Sequence, residues 1–236
     1  MKKISVIVLV VISLAFAGMA EAAKPKKKTR NANRVGAYGS MLVHQVRYTG
    51  DQSELEQELS AFLMNQNAPT RNVSTSTKNT DVGYQATFGF RFTRYFAAEL
   101  GLVQYGELSS SVNGEIDQGT GFVPASVKLA FTVGGPVVSA VGILPLNDKA
   151  EFFGRVGYLF ASSDRSLTTR LDGQNGGSNS ASGDSQNLVL GAGFAWNVNQ
   201  VYSIHVEYQK IDKVGQKSRT GTEDMTVLGV GLLVRF

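Results

Sequence analysis

The sequence predicts an all-β chain: an eight-stranded antiparallel up-and-down transmembrane β-barrel. Three observations predict it. Apolar residues recur at every second position along several stretches, as strand geometry requires of a side that faces an apolar medium. The stretches number eight, and their connections alternate short and long, the pattern of barrels with tight turns on one rim and larger loops on the other. Aromatics bracket the apolar faces at both ends, which two membrane interfaces explain and a buried core does not.

The closing stretch carries the clearest signal. From Glu223 the chain reads to Phe236, with Thr226, Leu228, Val230, Leu232, Val234 and Phe236 on one face and Val227, Gly229, Gly231, Leu233 and Arg235 on the other. Such a strand, ending on an aromatic, is what closes a membrane barrel.

At the other end, Lys2-Lys3, an apolar run from Ile4 to Ala17 and Ala20-Glu21-Ala22 form a secretory signal expected over residues 1–22. Residues 23–34 follow as a basic periplasmic arm holding Lys24, Lys26, Lys27, Lys28, Arg30 and Arg34. With leader and arm removed, 15 basic and 18 acidic residues remain of a chain whose formal charge is +4. The basic balance is therefore terminal and gives no support for nucleic-acid binding. No Cys occurs in the 236 residues, which excludes disulfides and thiol chemistry.

The barrel is expected over residues 35–236. Strand one covers about Val35 to Arg47. Strand two, Asp81 to Phe92, alternates Tyr84, Ala86, Phe88 and Phe90 with Gln85, Thr87, Gly89 and Arg91. Strand three starts at Tyr95 and alternates Phe96, Ala98 and Leu100 with Ala97, Glu99 and Gly101. Strand four ends at Leu146. Strand five starts at Lys149, after an Asn147-Asp148 turn, with Phe152, Val156, Tyr158 and Phe160 opposed to Glu151, Arg155 and Gly157. Strand six covers Ser185 to Trp196. In strand seven, Tyr202, Ile204, Val206 and Tyr208 alternate with Ser203, His205, Glu207 and Gln209. Long connections are expected near 48–80, 107–135, 163–184 and 212–222.

A soluble barrel would turn the apolar face inward. The aromatics argue otherwise: Phe92, Phe96, Phe152, Trp196, Tyr202 and Phe236 mark a girdle at the short turns, and Tyr84, Tyr158, Phe160 and Tyr208 mark a second. The opposite face then lines a narrow interior, where glycine leaves room and each charge needs a partner. Pairing Arg91 with Glu99, Trp196 with Tyr202 and Arg155 with Ala140 would gather Arg91, Glu99, Arg155, Glu207 and His205 into an interior ionic network.

Several segments together resemble the OmpA-like transmembrane domain: Asp81-Val-Gly-Tyr-Gln, Arg94-Tyr-Phe-Ala-Ala-Glu-Leu-Gly, Phe153-Gly-Arg-Val-Gly-Tyr and Val206-Glu-Tyr-Gln-Lys-Ile-Asp-Lys-Val-Gly. The resemblance covers about Val35 to Phe236. It implies an outer-membrane location, a polar and largely blocked interior, and an inner salt-bridge network at Arg91, Glu99, Arg155 and Glu207. It also implies that Val230, Leu232, Val234 and Phe236 form the signal read by the barrel-assembly machinery. No peptidoglycan-binding domain is expected to follow, and a small stand-alone surface barrel is expected.

Function is expected in the outer loops. Ser53 to Gln66 places Leu55, Leu59, Phe62 and Leu63 on one helical face behind a Ser53/Glu56 capping box. Val127, Leu129, Phe131 and Val133 alternate with Lys128, Ala130 and Thr132, predicting a hairpin that continues above the membrane. Gly173 to Gly183 is expected to be a mobile loop. The chain has only two histidines; His205 shares a face with Ser203 and Glu207, but that face points away from lipid. No catalytic residue, metal site or cofactor is expected. The expected role is structural or surface-interacting, in adhesion or envelope integrity. The expected partners are outer-membrane lipids and lipopolysaccharide, the assembly machinery and a host or cell-surface ligand at the loops. The alternative is a narrow porin-like channel gated by the interior salt bridges.

Overall fold

The computed structural model describes residues 35–49, 70–117, 119, 121–216 and 222–236. The leader, the basic arm and the Ser53–Gln66 helix expected from the sequence lie outside these residues. The described chain forms ten strands: β1 Gly36–Tyr48, β2 Thr70–Lys78, β3 Thr80–Arg91, β4 Phe96–Gln104, β5 Leu108–Asp117, β6 Phe122–Pro145, β7 Ala150–Leu171, β8 Gln174–Asn197, β9 Tyr202–Val214 and β10 Glu223–Arg235.

Eight of them close a ring in the order β1-β3-β4-β6-β7-β8-β9-β10, sealed where β10 pairs with β1. The two extra strands are continuations. β5 carries β4 upward along the edge of β6 after a break at Tyr105-Gly106-Glu107, and β2 carries β3 upward along β5 after a break at Asn79. The upper parts of β7 and β8 complete a five-stranded extension above the ring, β2-β5-β6-β7-β8.

Cross-strand partners give the stagger. From Arg47 the register passes through Thr226, Lys210, Leu190, Val156, Ala140, Ala98 and Phe90, and returns to β1 at Ala37, ten residues below its start. With about 3.3 Å per residue and about 4.8 Å between strands, this inclines the strands about 40° to the barrel axis.

The three short turns are built alike. In Thr93-Arg94-Tyr95, Asn147-Asp148-Lys149 and Asn199-Gln200-Val201, the residue before the turn and the turn's first residue both donate their N–H to the carbonyl of the residue after it: Phe96, Ala150 and Tyr202 respectively. In each, the first side chain caps the turn. Thr93 Oγ1 accepts from Tyr95 and Phe96 N–H, Asn147 Oδ1 from Lys149 N–H, and Asn199 Oδ1 from Val201 and Tyr202 N–H. These three-residue turns correct the expected register. Arg91 faces Ala97 rather than Glu99, Trp196 faces Ile204 rather than Tyr202, and Arg155 faces Val141 rather than Ala140. The last correction matters most, because Ala140 points outward while Val141 is buried.

The expected long connections at 107–135 and 163–184 are strands. β5 and β6 pair from Leu108↔Phe131 to Asp117↔Phe122, as the alternation of Val127 to Val133 predicts. Residues 173–183, expected as a loop, belong mostly to β8, which reverses from β7 at Asp172-Gly173. Both turn residues have positive φ, 50° and 74°, as the tightest hairpins require. Another positive-φ glycine, Gly135, sits where the β6–β7 pairing is interrupted between Gly134↔Ser162 and Val137↔Leu159: a Cβ there would lie 2.1 Å from the Phe160 carbonyl oxygen.

Candidate functional site

The two faces of the ring differ as the alternation requires. Phe88, Leu100, Val138, Leu144, Val156, Leu190, Ile204, Val206, Leu228, Val230 and Leu232 are exposed on the outside. All six girdle residues, Phe92, Phe96, Phe152, Trp196, Tyr202 and Phe236, are exposed beside the three-residue turns, and Tyr84, Tyr158, Phe160 and Tyr208 are exposed toward the other rim. Of the closing strand's outer face, Leu228, Val230, Leu232 and Phe236 are exposed, and Val234 is covered.

The interior is layered. Nearest the three-residue turns, Arg91 Nη1 reaches both carboxylate oxygens of Glu151, at 3.2 and 3.1 Å. Its Nε donates to the Thr93 carbonyl at 3.2 Å and its Nη2 to the Arg94 carbonyl, which ties the guanidinium to its own turn. Arg235 donates to Ser203 Oγ at 2.6 Å and Asn197 Oδ1 at 3.0 Å, and its Nη2 lies 3.9 Å from Glu151.

The next layer centres on Arg155. Its Nη1 lies 2.5 Å from Glu99 Oε2 and its Nε 2.7 Å from Glu207 Oε1, and its Nη2 donates to Glu207 Oε2 at 3.2 Å. Tyr38 donates its hydroxyl to Glu99 Oε1 at 2.5 Å. Glycine makes the room: a Cβ at Gly191 would lie 2.8 Å from Glu207 Oε1. A cavity of about 50 Å³ remains between the two layers, lined in part by Tyr38, Glu99, Phe153, His205 and Leu233.

The predicted residues thus sit in two clusters rather than one network. Arg155, Glu99 and Glu207 meet; Arg91 does not join them. His205 is buried in the same interior with its ring edge-on to Phe153, centroids 6.2 Å apart, and makes no ion pair among the described residues. Sequence reasoning missed Glu151, Arg235 and Tyr38 as members. Parity along the strand could have found them, since Glu151 shares a face with Arg155, and Arg235 ends the inward face of β10. The two clusters balance: three arginines meet three glutamates.

Above the ions comes an amide step, in which Gln209 Nε2 donates to Gln85 Oε1 at 3.4 Å. Beyond it the lumen is largely apolar, with the buried His44 ring at its foot, 5.4 Å from the Tyr105 ring between centroids. Val46, Tyr48, Val103, Tyr105, Leu108, Phe131, Val133, Val137, Leu159, Ala161, Val189, Ile211, Val214, Met225 and Val227 form one buried cluster. Leu159, Ile211 and Met225 are 0% exposed. The upper half of the tube is therefore filled with side chains, which narrows the expectation of a polar interior to its lower half. The breaks in β3–β2 and β4–β5 are stitched at this level. The Glu107 N–H donates to Asp81 Oδ2 at 2.8 Å, Lys78 Nζ lies 2.6 Å from Asp81 Oδ1, and the Tyr48 hydroxyl donates to the Gly106 carbonyl.

The extension has a small core of its own, Val112, Ala125, Val127 and Leu129, against which Val73, Ile116, Leu167 and Leu171 pack. Arg71 pairs with Glu115 at 2.5 Å and stacks over the Phe122 ring at 4.0 Å. The Arg71 guanidinium is the main reason the Glu115 carboxyl is held below its ordinary range.

The family model described as the OmpA-like transmembrane domain matches residues 47–236. The chain belongs to the OmpA-like transmembrane domain family. It is an outer-membrane β-barrel protein of bacteria, and the strand exteriors described above face lipid. No curated relative matches the chain. Among solved structures, this OmpA-like chain is similar to Ail of Yersinia pestis, at 14% identity and a TM-score of 0.39 over 86% of this chain and 99% of that one. It is similar to OprG of Pseudomonas aeruginosa, at 13% identity and a TM-score of 0.41 over 86% and 96%. It is also similar to Neisserial surface protein A, at 10% identity and a TM-score of 0.40 over 85% and 97%.

Proposed function

We propose that this OmpA-like barrel does not conduct and acts at the cell surface through the sheet that rises above its ring, in adhesion or envelope integrity. One observation carries the reading: the lumen is filled by apolar side chains where the extension begins. A hydrated ion has no polar path through such a segment, and desolvating it there costs many kcal/mol. The ionic layers below are then structural, pinning strands β3, β4, β7, β9 and β10 to one another. Lipids and lipopolysaccharide contact the outer face between the two girdles, and the closing strand with Val230, Leu232, Val234 and Phe236 is the signal to the assembly machinery. Residues 1–22 are the signal peptide that sends the chain there.

An enzymatic reading finds no support in the interior trio. Ser203 Oγ donates to Asn197 and accepts from Arg235, and Glu207 is held by Arg155, so neither is aligned on His205. The test is two-sided. Purified protein in planar bilayers should give no openings, and an outer-membrane variant with the β7–β8 hairpin shortened by Arg165–Ser180 should insert normally yet lose surface adherence. Discrete openings from the unaltered protein would overturn the reading, as would full adherence without the hairpin.

A further inference from the structure

β8 runs from Gln174 to Asn197, yet β9 pairs with it only between Val189 and Asn197. The parting is built into the chain. Asn187 Nδ2 donates to the carbonyls of Asp212 and Lys213 at 3.1 and 2.9 Å, and the Gly215 N–H donates to Ser185 Oγ at 3.1 Å. Lys213 and Gly215 take positive φ, 53° and 112°, and turn the chain away. The upper half of β8 is left with β7 as its partner, and among the described residues no strand pairs with its other side.

A row of unpaired N–H and C=O groups is a template for another strand, and proteins normally guard such an edge with lysine, proline or a bulge. This edge has none of these where it matters. Between Gln174 and Gln186 there is no Lys and no Pro, and the only charge is Asp184. The register shift at Thr169/Arg170 distorts the tip alone and leaves Ser178 to Gln186 in regular pairing with β7. Ser178 to Ser182 are exposed, and an open polar cleft of about 470 Å³ lies at the edge, lined by Ser162, Ser182, Gly183, Asp184 and Gln216.

Two carboxylates stand beside the cleft. Asp164 faces Ser182 and Ser162 faces Asp184, so Asp164 and Asp184 are diagonal neighbours on one face of the hairpin, where Cα atoms stand about 7–8 Å apart. Both are exposed, and neither makes an ion pair among the described residues.

We propose that the edge of β8 from Ser178 to Gln186 is a strand-addition site for an extended, basic segment of another protein. It rests on the reading that the extension works at the cell surface. Backbone ladder bonds supply the attraction, as in other cases of strand addition. Asp164 and Asp184 select Lys or Arg at alternate positions of the incoming strand. The short side chains of Ser178, Ser180 and Ser182 on the same face leave its other residues unconstrained. A second copy is a poor occupant: copies in one membrane share an upward direction, so their β8 edges would meet in parallel with Asp184 against Asp184.

The test uses the full chain in phosphatidylcholine nanodiscs. The probe is a fluorescein-labelled nonapeptide alternating Thr and Lys, read by anisotropy. Its controls are the Thr/Glu peptide and a Thr/Lys peptide N-methylated at alternate amides. The basic peptide should bind, and neither control should. The double variant Asp164→Asn/Asp184→Asn should weaken binding about fivefold, the worth of two exposed ion pairs. Neighbouring residues of a strand direct their N–H groups to opposite sides, so one of Ser180→Pro and Ala181→Pro removes a donor from the free edge alone. That variant should abolish binding while the barrel keeps the gel mobility of the folded form. Equal binding of the N-methylated peptide, or no binding of the basic one, would overturn the proposal. The surface role is read separately, from the adherence of cells carrying the shortened hairpin, and a silent edge leaves that result standing.

Discussion

Arg155 Nη1 lies 2.5 Å from Glu99 Oε2 although a whole strand, β6, separates β7 from β4. The contact is made across the lumen, past the small side chain of Ser139 and past Gly157, where a Cβ would lie 2.4 Å from Ser139 Oγ. The same guanidinium holds Glu207 on β9, so one side chain couples three strands that are not neighbours.

Removing it should therefore be costly. Arg155→Met leaves Glu99 and Glu207 buried without their cation, and the expected loss is about 3–5 kcal/mol in urea unfolding from lipid vesicles. The triple variant Arg155→Met/Glu99→Gln/Glu207→Gln should recover most of that loss, because no uncompensated charge remains. If the single and triple variants unfold alike, the charges do not govern the layer.

Glycines inside and outside the ring should respond oppositely. A Cβ at Gly193 would lie 2.3 Å from Phe153 Cζ and 2.5 Å from the Val206 carbonyl oxygen, whereas one at Gly142 meets nothing within 4 Å. Gly193→Ala should cost about 1–3 kcal/mol through overpacking. Gly142→Ala should be neutral or stabilising by about 0.5–1 kcal/mol. Urea midpoints of the two variants in the same vesicles check the contrast.

The stopper predicts which substitutions open the tube. Arg155→Met and Glu99→Gln should stay silent in planar bilayers, since the apolar segment above them is intact. Leu159→Ala combined with Phe131→Ala should lower stability by several kcal/mol, about 2–5 for each site, and should be the variant that leaks. Openings from the ionic variants alone would place the barrier at the salt bridges instead.

Glu115 supplies a pH prediction outside the membrane. Its carboxyl is held down by Arg71, so the contact is fully present above the ordinary glutamate range and is lost as pH falls through the lower folded value. In a carboxyl-carbon NMR titration Glu115 should titrate below a peptide glutamate, and Arg71→Gln should return it to normal. An ordinary midpoint in the unaltered protein would count against the pair.

Trp196 is the single tryptophan of the chain and lies on the outer face at the girdle of the short turns. Its emission should be quenched by lipids brominated near the headgroup, and less by lipids brominated near the chain ends. Quenching by aqueous iodide but by neither lipid would mean that the faces are reversed.

What the sequence made legible follows from side-chain periodicity. The outer faces of strands two, three, five and seven, and of the closing strand, alternate cleanly because one side meets hydrocarbon and the other does not. The register was less legible. Asn147-Asp148 reads as a two-residue turn, but the Asn147 side chain caps a three-residue one, and each added turn residue moves the pairing by one. The upper parts of β7 and β8 were missed for a different reason: residues 174–186 are mostly Ser, Gly, Asn and Gln, and nearly all are exposed, so no periodicity marks them. The Asp172-Gly173 pair was the local signal that a hairpin turned there. The apolar stopper was hidden because Val103, Val137, Leu159, Val189 and Ile211 face inward on strands whose outer residues are apolar too.

The alignment of β7 and β8 with the ring below them sets how the protein bears load. Both strands continue without interruption from the rim of the short turns to the tip of the hairpin. A pull on the upper edge of β8 is directed along the strands, so it shears many ladder bonds together instead of peeling them one at a time. Tension applied from outside is thereby shared along the whole length of β7 and β8, down to the rim of the short turns.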